Sequence, residues 1–167
     1  MALIDPRFRE NGLRYLAQCG LATVAVLVTL LVLDVFSEGV IVASLGASAF
    51  IAFTMPHTRS SGPRFMVGGY VMGLVAGVAM HGLSRMVGGL DLGPWTLSST
   101  SLFGAAAVGL AIFLMVLTDT EHPPAAGLAL GVVLAGWDVW ALVVPMVGVV
   151  VLSVARRVLR PVLINLI

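Results

Sequence analysis

Residues 101–117 read SLFGAAAVGLAIFLMVL, seventeen consecutive positions without a charge. Five further apolar runs accompany this one, so that spans are predicted near 15–33, 39–55, 64–88, 98–117, 123–137 and 139–156. A helix that crosses the hydrocarbon core of a bilayer needs about 20 apolar residues, and the first four runs reach or approach that length. The fifth and sixth are short and share the polar joint WDVW, where Trp137 and Trp140 suit an interfacial belt. A re-entrant fifth run is the alternative. Composition agrees: the chain is 59% hydrophobic and 10% charged, whereas a soluble domain carries about 25% charged residues. The fold class expected is therefore all-α, a polytopic transmembrane helix bundle of about six spans. Residues 1–14 form an N-terminal arm, 15–158 the membrane domain and 159–167 a C-terminal tail.

Arginine placement sets the orientation. All nine basic residues are Arg. They fall in the N-terminal arm (Arg7, Arg9, Arg14), in the loop after span two (Arg59, Arg64), at the end of span three (Arg85) and beyond span six (Arg156, Arg157, Arg160). The loop DVFSEG and the joint between spans five and six carry only acids. Positive segments stay on the cytoplasmic side, which puts both termini inside and makes the number of crossings even. The polar first 15 residues lack the apolar core of a signal peptide, and the run that follows is expected to stay as an anchor. A multi-pass protein of the bacterial inner membrane is the expected setting. Its partners would be the lipid bilayer and further copies of the chain, with no nucleic acid and no cofactor.

Several chemistries are disfavoured. Cys19 is the lone cysteine and reads as a small packing residue, so a multi-cysteine metal site is excluded. No zinc-protease helix, nucleophile elbow, phosphate loop or dinucleotide fingerprint is present, and an enzyme is not expected. All eight acids lie in loops or near span ends. Cation-coupled carriers commonly use a buried carboxylate, so an anion or neutral solute suits this chain better.

Two loops that should face the cytoplasm are the chemically dense ones: TMPHTRSSGPR at 54–64 and TDTEHPPA at 118–125. Each follows a small-residue helix, holds a histidine and a proline, and leads into a glycine-bearing helix, which suggests an internal repeat. Proline suits the first turn of a helix because the N–H it lacks would be unpaired there. Pro123 is thus predicted to open span five and Pro63 span three. Helix starts offer free N–H groups to a small anion, with Thr118, Thr120 and His122 beside one start, and His57, Ser60, Ser61 and Arg64 beside the other. Ordinary capping is the competing reading. Asp119 and Glu121 oppose an anion unless they cap span five or pair with Arg59 and Arg64, which would fasten the loops together. In span three, Gly69, Gly73, Gly77, His81 and Arg85 recur every four residues along one ridge. Its glycines, with Gly127 and Gly131 of span five, are expected to pack helices closely. His81 would face protein or a polar pathway, or serve as a hydrogen-bonded packing residue, and Arg85 would snorkel to the outer interface.

HPPAAG at 122–127, with SLGASAFIAFTMP at 44–56 and GPRFMVGGYVMGLVAGV at 62–78, resembles the HPP family of small bacterial and plastid membrane proteins, named for its His-Pro-Pro motif. The resemblance implies an integral membrane fold. It also implies a transport role, because plastid and cyanobacterial members are associated with nitrite. The loop at 54–64 departs from a Pro-Asp-Ser-Pro-like pattern of the family and adds His57 and Arg59. The function expected is therefore a channel or carrier for a small inorganic anion, nitrite first among them. In this reading His122 titrates near 6.5, the unperturbed histidine value. A membrane scaffold or sensor that docks a soluble partner through Arg59, Asp119 and Glu121 is the rival.

Overall fold

A computed structural model describes residues 12–14, 16–21, 23–25, 39–87, 99–136 and 138–166. Helical backbone at 12–14, 16–21 and 23–25 is called α1. There follow α2 (Gly39–Thr54), a 3-10 turn (Arg59–Ser61), α3 (Pro63–Val87), α4 (Ser99–Thr118), α5 (Pro124–Ala135) and α6 (Val139–Leu159). Among the described residues no strand occurs. The chain is an all-α membrane bundle. Arg7, Arg9, the loop 34–38, the loop 88–98 and Trp137 lie outside the described residues.

Proline sets the predicted helix starts to within one residue. Pro63 is the first residue of α3. Pro123 has helical backbone angles and precedes Pro124, the first residue of α5. At the other end of α5, Gly136 takes a φ of 79° and breaks the helix, and Asp138 starts the next one by accepting a hydrogen bond from the Ala141 N–H at 2.7 Å.

Helices α3, α4 and α6 are each long and apolar enough to cross a membrane, whereas α2 and α5 are shorter. With 12 residues, α5 measures about 18 Å, less than the ~30 Å of a hydrocarbon core. Its surroundings permit this. It packs against α2, α3 and α4, and Ala125, Leu128, Ala129 and Val132 are wholly buried. A helix enclosed by protein can end at mid-depth without exposing its terminal backbone groups to lipid. The outer faces are apolar as well: Phe50, Phe113, Val116, Leu117, Val154 and Trp140 are each more than half exposed. So many exposed large apolar side chains suit lipid and not water. Cys19 also faces outward, which corrects its reading as a packing residue.

The glycine ridge of α3 lies directly against α5 and the loop before it. A Cβ on Gly69 would stand 2.6 Å from His122 Cβ, and one on Gly77 2.8 Å from Val132 Cβ. A Cβ on Gly73 would collide with the carbonyl oxygen of Ala125. Small residues thus let two backbones approach closely in the absence of a hydrophobic driving force. Gly68 adds a contact that the four-residue spacing does not suggest, 2.6 Å from Thr120 Cγ2. Gly131 is buried in α5. Gly127 differs: no described atom lies within 4 Å of its Cβ position, because it falls on the face of α5 turned away from its neighbours.

Among the described residues, the segments that carry Arg14, Arg59, Arg64 and Arg156–Arg160 gather at one end of the bundle. Gln18 of α1, 3% exposed, donates to Phe53 O at 2.7 Å and to Ile164 O at 2.8 Å, and accepts from the Ile164 N–H at 3.1 Å. The Leu166 N–H donates to Thr54 O at 2.8 Å. The C-terminal tail is therefore folded back over this end, fastened to α1 and α2. Arg85 lies exposed in the last turn of α3.

Candidate functional site at the arginine-rich end

The loop before α3 is stitched internally. Ser61 Oγ donates toward Pro56 O at 3.1 Å and Thr58 O at 2.8 Å, and Thr58 Oγ1 donates to Met55 O at 2.8 Å. A guanidinium from the last turns of α6 completes it: Arg156 Nη2 donates to Pro56 O and to Ser61 Oγ, the latter at 3.0 Å. His57 points the other way. Its ring lies 2.9 Å from Leu163 O, and its backbone N–H donates to Asn165 Oδ1 at 3.1 Å.

The loop before α5 begins with a Schellman-type stop to α4. The Thr120 N–H reaches back to Met115 O at 2.9 Å, and the Asp119 N–H to Val116 O at 3.3 Å. Asp119 holds a φ of 54° at the position where glycine is usual. Its carboxylate pairs with Arg59 and, at 3.4 Å, with Arg64. Arg64 also donates to Thr118 O at 3.3 Å, and Arg59 stacks over the Phe65 ring at 4.9 Å. The two loops are thus clipped together by Asp119. Glu121 takes part in no ion pair among the described residues.

These features make a ranking test. Exposed ion pairs contribute about 0–1 kcal/mol, and a non-glycine residue in the left-handed region costs about 1–2 kcal/mol. Asp119→Gly is expected to be near neutral because the two effects offset. Asp119→Ala loses the pairs and keeps the strain, so it should be less stable than Asp119→Gly by about 1 kcal/mol and melt at a lower temperature. Equal melting temperatures for the two variants would show that the backbone there is unstrained.

His122 is the centre of the buried assembly. It is fully buried, and both ring nitrogens are engaged: Nδ1 lies 2.9 Å from Ser60 O and Nε2 2.9 Å from Ser48 Oγ. A carbonyl only accepts, so Nδ1 carries the proton and Nε2 accepts from the Ser48 hydroxyl. With that proton committed, Tyr70 Oη donates to Ser48 Oγ at 2.8 Å and lies 3.2 Å from Ser44 Oγ. A continuous polar chain therefore runs Ser60–His122–Ser48–Tyr70–Ser44. Burial of the ring pushes the His122 pKa down to about 4, against the opposing effect of the Ser60 carbonyl. This corrects the expectation of a titration near 6.5. A charged imidazole in this place loses its water and gains no carboxylate.

The predicted site residues divide accordingly. His122, Ser60, Ser61, Thr118, Thr120 and Arg64 come together where the loops meet, with Thr118 Oγ1 and Thr120 Oγ1 2.7 Å apart. Pro123 is exposed beside them. His57 belongs to the tail side of the same end. His81 stands apart: it is eleven residues along α3 from Tyr70, or about 16 Å, and its Cε1 is 3.7 Å from the Cβ position of Gly136.

One expectation fails on geometry. The first turn of α5 has no free N–H to offer an anion. Pro123 and Pro124 lack the group, and the N–H groups of Ala125 and Ala126 donate to His122 O at 2.9 Å and to Pro123 O at 3.1 Å. Sequence reasoning in turn missed Ser44, Ser48, Tyr70, Gln18 and Arg156. The serines carried a readable signal, four residues apart on one face of an apolar helix. Gln18 carried one too, as a lone amide in an apolar run.

Apolar outer faces, helices of spanning length and a hydrogen-bonded polar interior define a polytopic helical membrane protein. Residues 9–163 match the family described as HPP, transmembrane region. The chain belongs to the HPP family. No curated protein and no solved structure was found to match it.

Proposed function

We propose that the protein passes a small inorganic anion across the membrane, and that nitrite, suggested by the HPP resemblance, is its substrate. The observation that carries this reading is the buried polar chain. Ser44 lies ten residues into α2 from Thr54 at the arginine-rich end, about 15 Å along a helix and half the ~30 Å of a hydrocarbon core. Polar side chains at that depth are costly and are functional candidates by default. The chain comprises hydroxyls and a neutral imidazole, with no carboxylate to repel an anion. Neutral donors hold an anion weakly enough to release it, and the arginines at the entrance raise its local concentration.

Assembly of identical chains in the bacterial inner membrane, with the arginine-rich end cytoplasmic, belongs to the same proposal. Because α5 occupies the ridge Gly69–Gly73–Gly77 within one chain, such an assembly uses another face. The rival docking role is less well supported, since Arg59 and Asp119 already satisfy each other.

The test is nitrite uptake into proteoliposomes, with the leak of nitrous acid subtracted using empty vesicles. Wild-type protein should raise uptake. Tyr70→Phe and Ser48→Ala, which keep shape or volume and break the chain, should lower it by about tenfold, the effect of some 1.4 kcal/mol. Uptake no faster than in empty vesicles would sink the transport reading.

A further inference from the structure

Between the loop before α3 and the end of α6 lies an open cavity of about 520 Å³, lined by His57, Pro63, Arg156, Arg157, Arg160 and Pro161. We propose that this cavity is a binding site for a phosphate-type oxyanion, either free in solution or carried as the headgroup of an anionic lipid. The inference stands apart from the transport reading, because it requires only that the anion be held.

Charge carries the argument. Three guanidinium groups line the cavity and no carboxylate does. Among the described residues both ion pairs are made by Asp119 with Arg59 and Arg64, so Arg156, Arg157 and Arg160 have no acidic partner there. Arg156 is 6% exposed, and its Nε is buried without a hydrogen-bond partner among the described residues. A buried cation left unpaired is expensive. The negative end of the α6 dipole offsets only part of that cost, since it amounts to about half a charge. An anion in the cavity would supply the rest.

Geometry agrees with chemistry. Arg156 and Arg160 are four residues apart near the end of α6 and so share a face. The Arg156 fork is held in place by Pro56 O and Ser61 Oγ. Planar guanidinium groups match phosphate oxygens in two-point contacts, which an ammonium does not. His57 completes the rim. Its Nε2–H donates to Leu163 O, which fixes the ring at the edge of the cavity. The cavity sits at the arginine-rich end of a membrane bundle, a level where lipid phosphates and soluble anions both arrive.

The experiment uses the whole chain in nanodiscs of phosphatidylcholine, titrated with inorganic phosphate against sodium chloride of equal ionic strength. Thermal stability is the readout. A parallel arm purifies the protein from phosphatidylglycerol-containing membranes and measures retained lipid by native mass spectrometry. Arg157 and Arg160 are exposed, so Arg157→Gln/Arg160→Gln should fold with an unchanged baseline melt, and Arg157→Gln alone serves if it does not. Phosphate should stabilise wild type, with binding about tenfold or more weaker in the variant. That result assigns a free oxyanion. Phosphatidylglycerol retained by wild type and lost by the variant, without a phosphate effect, assigns the headgroup. Equal responses in wild type and variant, or no response in either arm, would overturn the site.

Discussion

Gly73→Ala is expected to lower the melting temperature of the detergent-solubilised protein by about 5–10 °C, and Gly73→Leu to abolish recovery of folded protein. A Cβ at this position meets the Ala125 carbonyl oxygen, which is backbone within a buried helix. No flexible side chain can move aside, so α3 and α5 must separate along the whole seam from Gly69 to Gly77. Overpacking of this kind costs about 1–3 kcal/mol for one methyl group and more for a larger one, and each kcal/mol shifts the melt by about 2–4 °C in a chain of this size. Gly82→Ala supplies the control. The same helix carries it, no described atom lies within 4 Å of the new Cβ, and alanine should stabilise by about 0.5–1 kcal/mol through helix propensity. Equal behaviour of Gly73→Ala and Gly82→Ala would show that the close seam is absent.

His122→Ala should be the second most damaging change, and its effect should fall on folding as well as on flux. The ring is fully buried between two loops and α2. Its removal leaves a cavity and the Ser60 carbonyl without its partner, the latter worth about 1–3 kcal/mol when buried and unsatisfied, while the Ser48 hydroxyl keeps Ser44 O and Tyr70 Oη. His122→Asn retains an N–H for Ser60 O and should recover part of the loss. The sign of the pH dependence follows from the lowered pKa. The unfolded chain binds a proton near 6.5 and the folded one only near 4, so the unfolded state holds more protons between those values. Stability is therefore full above about pH 6.5 and falls as pH drops toward 4, by up to about 3 kcal/mol from this residue. Thermal melts of wild type and His122→Ala across that window measure it. Parallel profiles would show that the imidazole is not buried neutral.

Much of this architecture is legible without coordinates, for identifiable reasons. Uncharged runs of near 20 residues have few fates other than membrane helices, and Pro63 and Pro123 mark helix starts to within a residue because proline removes an N–H only where none is needed. Glycines at 69, 73 and 77 mark the close seam because a repeat of four keeps one face. The pairing of Asp119 with Arg59 and Arg64 is also foreshadowed, since an acid among greasy segments needs a cation.

Tertiary structure decided what those residues are near. A His-Pro-Pro motif reads equally as a helix start that waits for an anion and as one already satisfied. Only the fold shows that His122 O and Pro123 O take the first N–H groups of α5, and that Ser48 and Ser60 take the ring. Partners 62 and 74 residues away in sequence leave no periodic signature, because hydrogen bonds across a bundle depend on which helix faces which. The same holds for Arg156, whose partners Pro56 and Ser61 are about a hundred residues distant. Hydrophobic pattern fixes that a helix is buried or faces lipid. It does not fix its neighbour, and in a bundle whose helices are apolar on nearly every side that choice belongs to close packing and to a few buried polar atoms.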